Sequence, residues 1–232
     1  MKKKVLKYIL LVVIIVILCF TALLVRKYMI LAKLDKMASN YNDTKDSIYG
    51  KVLTTGENQN NVISELFIKG DVRKYVVDVG DTRKMTQYIY TNEVKSYAEN
   101  GDKKVMSVNA DVNAVAGMTL VASIPNYTHD TSVKSRIISA LKTSIKSAEL
   151  DGKKCYELSG MNSPLFLYTM NSVGISLYVE KDTGLPVKLV ETIDEDGIIT
   201  HNIMEYEFKF DTVTDEDMTE PDASEYTVQE NK

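Results

Sequence analysis

Tryptophan is absent from the 232 residues, and cysteine and histidine occur twice each, proline four times and glycine eleven times. Two cysteines exclude a disulfide scaffold, and so little glycine and proline excludes collagen-like or low-complexity chains. Disorder throughout is excluded by 44% hydrophobic residues and a net charge of only −4. The length fits one large domain or two small ones. A further absence is regional. No acidic residue precedes Asp35, whereas seven of the 28 basic residues do (Lys2, Lys3, Lys4, Lys7, Arg26, Lys27 and Lys33). The rest of the chain therefore holds 21 basic against 32 acidic residues, a formal charge of −11. A basic head on an acidic body argues against nucleic acid as a partner, because phosphate binding needs a positive footprint.

What the head does contain is an uncharged run, Tyr8 to Val25. As a helix it spans about 27 Å, close to the thickness of a bilayer's hydrocarbon core. Lys7 and Arg26 bound it and reach the two interfaces. The run is too long for a secretory signal core, and no small-x-small cleavage site follows it closely. Cys19 follows Leu18 rather than a small residue, which argues against lipidation there. Residues 1–7 thus read as a cytoplasmic stub and 8–25 as an uncleaved transmembrane anchor. The lysines of the stub place the N-terminus inside by the positive-inside rule. The expected location is a bacterial plasma membrane, crossed once, with the body outside the cytoplasm and the membrane itself as a partner.

Residues 26–47 read as a juxtamembrane helix or linker, with Met29, Ile30, Leu34, Met37 and Tyr41 near helical spacing. From residue 48 the texture changes to short segments rich in Val, Ile, Thr and Tyr, at 48–55, 61–69, 73–79, 83–91, 93–99 and 103–109. Turn residues separate them, as in an antiparallel meander. Residues 109–142 interrupt the strands with helical composition; Thr131 or Ser132 is placed to cap a helix whose Ile137, Ile138, Leu141 and Ile145 share a face. Strands return at 143–150 and 153–160 around Asp151-Gly152, a hairpin signal. They continue at 173–181, 185–193 and 198–210. The last 22 residues hold eight acids against Lys232 and read as a solvated tail or edge segment. The fold class is α+β: residues 48–210 form one large antiparallel sheet of about ten or eleven strands, with a helical insertion over its concave face.

Candidate chemistry is sparse. His129, His201 and Cys155 show no recurring ligand spacing, which argues against a metal centre. Cys155 lies within a strand with no nearby histidine in sequence and reads as a small buried hydrophobe. Asp194-Glu195-Asp196-Gly197 lacks the regular spacing and distant bidentate Glu of a calcium loop, and reads as a turn. Neither a Walker loop nor a GxGxxG motif is present. No cofactor and no enzymatic activity are expected.

Apolar surface remains. Alternate strand positions carry Leu66, Ile68, Val77 and Ile89, then Leu177 and Met204; the insertion adds Met118, Leu120, Ile138 and Leu141. These ten residues are the candidate lining of a sheet–helix cleft, the alternative being an ordinary filled core. The segments Asp151-Gly152-Lys153-Lys154-Cys155-Tyr156 and Asp182-Thr183-Gly184-Leu185-Pro186, each at a strand junction, resemble the LolA/LolB/RseB-like superfamily of lipoprotein carriers and their membrane-anchored Gram-positive relatives. That resemblance implies a half-open antiparallel barrel with helices as a lid over a hydrophobic cavity, and a guest that is a lipid or lipoprotein acyl chain. Retention of the anchor argues against ferrying. The expected function is an anchored extracytoplasmic protein holding an apolar ligand; the alternative is an interaction or sensor module of an envelope complex with a protein partner and no cavity.

Overall fold

A computed structural model describes residues 2–56, 61–80, 83–109, 123–128, 132–160 and 172–229. The first element, α1 (Lys2–Thr44), is a single helix of 43 residues. The apolar run and the juxtamembrane segment are therefore one rod, with no turn between them. It is the one helix among the described residues that is long and apolar enough to cross a membrane. Its side chains stand exposed from Leu6 to Leu23; then Leu31, Leu34 and Ala38 are almost wholly buried. Their i, i+3, i+7 spacing makes a stripe facing the domain. Residues read as juxtamembrane thus form a core element.

Strands follow as β1 (Ser47–Gly56), β2 (Val62–Lys69), β3 (Val72–Val79), β4 (Arg83–Ile89), β5 (Val94–Asn100) and β6 (Lys103–Asn109). After the insertion helix α2 (Val133–Lys142) come β7 (Ser144–Leu150), β8 (Lys153–Ser159), β9 (Ser172–Glu180), β10 (Pro186–Glu195), β11 (Ile198–Phe210) and a short β12 (Thr227–Gln229). All belong to one open sheet in the order β12-β6-β5-β4-β3-β2-β1-β11-β10-β9-β8-β7. Every pairing is antiparallel except β12 with β6. The expected strands are all present, and β12 adds one more. Two junctions show why the hairpins were legible: Asp151-Gly152 and Asp196-Gly197 both take positive φ at each residue (52° and 76°, 55° and 86°). That is the backbone a two-residue turn between twisted strands demands. Gly197 N–H also donates to the Asp194 carboxylate at 2.8 Å, so the acidic run is turn chemistry.

The two faces of the sheet are covered differently. On the inner face α1's Leu31, Leu34 and Ala38 pack with Leu158, Leu177, Val179 and Leu189. Ile124, Tyr127 and Ala140 of the insertion join the same cluster, so the insertion and α1 share the cover. Each buried leucine contributes about 1.5–3 kcal/mol.

The outer face of β2–β6 carries the acidic C-terminal segment as a strap, where a solvated tail or edge segment was expected. Asp211, at φ 57°, turns the chain back, and its carboxylate accepts from Lys45 Nζ at 2.8 Å and Asp46 N–H at 3.0 Å. Asp215 then meets Lys69 at 2.7 Å, the Asp217 carbonyl accepts from Lys74, and Glu225 meets Lys104 at 2.8 Å. Only its end, β12, is an edge strand. Glu220 is the centre: its carboxylate accepts from the Tyr90 hydroxyl, from Tyr97 at 2.6 Å and from Lys95 at 3.0 Å. Beneath it Tyr88, Tyr97 and Tyr226 pack edge to face. Burial pushes the Glu220 carboxyl up, but the three donors outweigh it and hold the group below its ordinary value.

A depressed carboxylate stabilises the folded state above its ordinary pKa, and that contribution disappears as pH falls through the depressed value. Docking of the strap should therefore be flat above about pH 5 and weaken below about pH 4.5. With no tryptophan present, tyrosine near-UV circular dichroism reads the cluster directly. Glu220→Gln should lose about 1.5–3 kcal/mol, the usual worth of hydrogen bonds to a charged group, and should flatten the acid limb of the Tm–pH curve.

Candidate ligand-binding face

Residues directly opposite each other in a ladder share a face of the sheet. Ile48 lies opposite both Ile68 and Phe210, Leu66 opposite Tyr75, and Leu189 opposite both Leu177 and Met204. Extending by alternation, Leu66, Ile68, Val77, Ile89, Leu177 and Met204 all fall on the inner face. The six strand-borne members of the expected lining thus share one surface.

That surface is divided. Leu177 sits under α1 in the main cluster. Leu66 belongs with Val52 and Tyr75, flanked by Ile68, Val77 and Met204, in a cluster that holds no residue of α1. Ile89 pairs with Val94 further along. Polar groups interrupt this second half. Ser64 and Gln87 are buried, Gln87 donates to Ser96 Oγ at 3.2 Å, and the Gln87 carbonyl oxygen is buried without a hydrogen bond.

The insertion residues are placed differently. Ile138 and Leu141 are 42% and 52% exposed, and Ala140 is the residue that α2 buries. The helix turns its small side to α1, so the apolar row points outward. Ser132 caps it, its hydroxyl accepting from Ser135 N–H at 3.2 Å. Met118, Leu120 and His129 lie outside the described residues. His201 is exposed, its ring 3.3 Å from Thr192 Oγ1, and Cys155 is a buried free thiol, as its setting in a strand suggested. Burial pushes that thiol's pKa up, away from the reactive thiolate. Among the described residues no three His, Cys, Asp or Glu side chains gather as metal ligands. Two described grooves, of about 490 Å³ along α1 (Lys33 to Asp43, with Thr183) and about 420 Å³ between Asp71 and Glu93, are not lined by the expected cleft residues.

The contacts that lock α1 on this face were not anticipated. Asp35, 2% exposed, accepts from Tyr127 N–H at 2.8 Å, Thr128 N–H at 3.2 Å and the Thr128 hydroxyl at 2.5 Å. Arg136 Nε approaches it at 3.6 Å and ties α2 to α1. Burial pushes the Asp35 carboxyl above its ordinary value, and those donors and the guanidinium offset only part of the rise. The Tyr127 hydroxyl donates to the Gly184 carbonyl at 2.6 Å. Gly184, at φ 71°, lies so close to α1 that a Cβ there would stand 2.8 Å from Met37 Cβ. Tyr41 stacks on Phe210 with centroids 4.4 Å apart. Asp35 left a trace in sequence: it is the first acid of the chain and falls between Leu34 and Ala38, inside a stripe spaced for burial. A charge in such a stripe needs a partner.

No family model and no curated protein matches the chain. Solved structures do. The lipoprotein LppX of Mycobacterium tuberculosis matches 79% of this chain and 96% of its own at 9% identity and a TM-score of 0.42. MucB matches 82% of this chain at 15% identity and a TM-score of 0.39, and the match spans 62% of MucB. A LolA superfamily protein from Nitrosomonas europaea matches 81% of this chain and 96% of its own at 9% identity and a TM-score of 0.23. The likeness is one of fold alone.

Asp35→Ala should destabilise the domain by about 3 kcal/mol, because it strands two buried N–H groups and a guanidinium. Gly184→Ala should cost about 1–3 kcal/mol for the left-handed backbone alone, with the Met37 clash added. Urea midpoints of the two variants against the parent chain check both.

Proposed function

We propose that this chain is a membrane-anchored, extracytoplasmic binding module without catalytic activity, and that it engages a protein of the cell envelope rather than storing an acyl chain beneath α1. One observation carries this reading: the second half of α1 occupies the inner face over β8–β11. A guest there would have to displace Leu31, Leu34 and Ala38 and break the Asp35 contacts. At about 0.8 kcal/mol per buried CH₂, an acyl chain gains little by replacing side chains of equal apolarity. The unbroken helix also gives the body no tether with which to leave its membrane, which suits presentation at one membrane and not transfer.

The sheet edge supports a protein partner. β7 ends the strand order, every residue along it is at least partly exposed, and no described strand pairs with its outer side. Such an edge accepts an added strand through main-chain hydrogen bonds. A photocrosslinker at Lys146 in the intact chain, in cells, should yield a discrete protein adduct, and two prolines placed in β7 should abolish it.

The cluster of Val52, Leu66 and Tyr75, which holds no part of α1, favours a second reading, an apolar ligand over β2–β4. Native mass spectrometry of residues 27–232 separates the two. The partner reading expects the bare polypeptide mass and no uptake of a fluorescent fatty acid; one bound fatty acid per molecule, weakened by Leu66→Asp, would establish the lipid reading in its place.

A further inference from the structure

Among the described residues of the insertion, the outward side of α2 carries the exposed large apolar side chains. Val133, Ile137 and Leu141 repeat at i, i+4 and i+8 and are 62%, 40% and 52% exposed. The neighbouring row is Lys134, Ile138 and Lys142, all exposed. Two adjacent rows therefore present four apolar side chains flanked by two lysines. Between residues 132 and 148 the chain holds four basic residues and no acid, on a body whose formal charge from Asp35 onward is −11. An apolar strip rimmed with lysine is the composition of a helix lying at a lipid–water boundary.

Position agrees with composition. α2 packs directly on α1, through buried Ala140 and the Arg136–Asp35 pair. Asp35 lies ten residues beyond Val25, so about 15 Å of helix separates that contact from the end of the apolar run. Headgroups extend roughly 5–7 Å outside the hydrocarbon, and transmembrane helices commonly tilt about 20°, up to about 40°. A tilt of α1 towards α2's side carries the outward face of α2, which is displaced from the α1 axis by more than a helix diameter of about 10 Å, down to the headgroups. Arg26, exposed at the end of the run, and Lys27 add positive charge at the same level.

We infer that α2 is a second membrane contact: its Val133/Ile137/Leu141 row and Ile138 lie against the leaflet from which α1 emerges, and Lys134 and Lys142 engage anionic lipid headgroups. The body then rests on the bilayer in a fixed pose instead of standing free above it. This rests on α1 being the anchor.

Because the chain has no tryptophan, single tryptophans report without background. The full chain carrying Ile138→Trp, reconstituted in vesicles of phosphatidylcholine with phosphatidylglycerol, should show blue-shifted emission and quenching by brominated lipid. Val228→Trp, on β12 at the sheet edge opposite β7, should remain unquenched. Each of Lys134→Gln and Lys142→Gln should weaken docking about fivefold, the ~1 kcal/mol that a basic residue gains near an anionic surface. All these positions are exposed, and the tyrosine near-UV signal confirms that each variant folds. Ile138→Trp emission typical of water in these vesicles overturns the contact. So does a blue shift that brominated lipid does not quench and that grows with protein density, which would assign the strip to a second copy of the chain. Phe20→Trp, within the run, must be quenched in every case; its failure overturns the anchor itself, and the α2 contact with it.

Discussion

Leu31, Leu34 and Ala38 stand only a few helical turns past Val25, on the same rod, and are sealed against the sheet. The interaction on which the rest of the molecule depends is this docking of one helix into the inner face of β8–β11. It sets where the domain begins relative to the apolar run, because no linker separates the two. It also explains the local requirements around it. Gly184 must lack a Cβ because Met37 is there, and Tyr127 reaches across to the Gly184 carbonyl because the insertion closes over the helix. An open antiparallel sheet has an inner face that needs covering; in this chain α1 provides much of the cover.

The opposite face solves a different problem by different means. Lys69, Lys74, Lys95 and Lys104 project outward from β2–β6 beside Tyr88 and Tyr97, a surface too polar to bury against a helix. The C-terminal acids fit it. Their charges meet the lysines, and the aromatic rings supply the packing that exposed ion pairs, each worth about 0–1 kcal/mol, do not. The acidic excess of the body is thus partly consumed inside the fold.

Period-two alternation and Asp-Gly junctions made the sheet legible from sequence, since both are local properties that the strand backbone enforces. The inner-face residues Leu66, Ile68, Val77, Ile89, Leu177 and Met204 followed from the same alternation. Their state did not. For Leu177, whether it faces a guest or a helix depends on α1, more than a hundred residues away in sequence, and no local pattern records it. The strap was misread for a related reason. Eight acids in 22 residues look solvated unless their partners are known, and Lys69, Lys74, Lys95 and Lys104 become one surface only when the five strands β2–β6 are laid side by side. On α2, Ile138 and Leu141 follow the expected spacing, yet Ala140 decides which side goes in, because a small residue lets two helices approach closely.

The Asp35 contacts bear on why that helix pair has one arrangement. Apolar contacts are non-directional, and a stripe of Leu31, Leu34 and Ala38 tolerates rotation or a shift along the sheet. A buried carboxylate does not. It is costly to desolvate, and its donors satisfy it only from fixed directions. Two successive N–H groups at Tyr127 and Thr128, the Thr128 hydroxyl and Arg136 converge on one carboxylate, and they come from a loop and a helix that α1 would otherwise meet only through grease. The polar contact therefore contributes register more than net stability: it fixes how far along α1 the insertion closes, and so which side of α2 is left facing away from the domain.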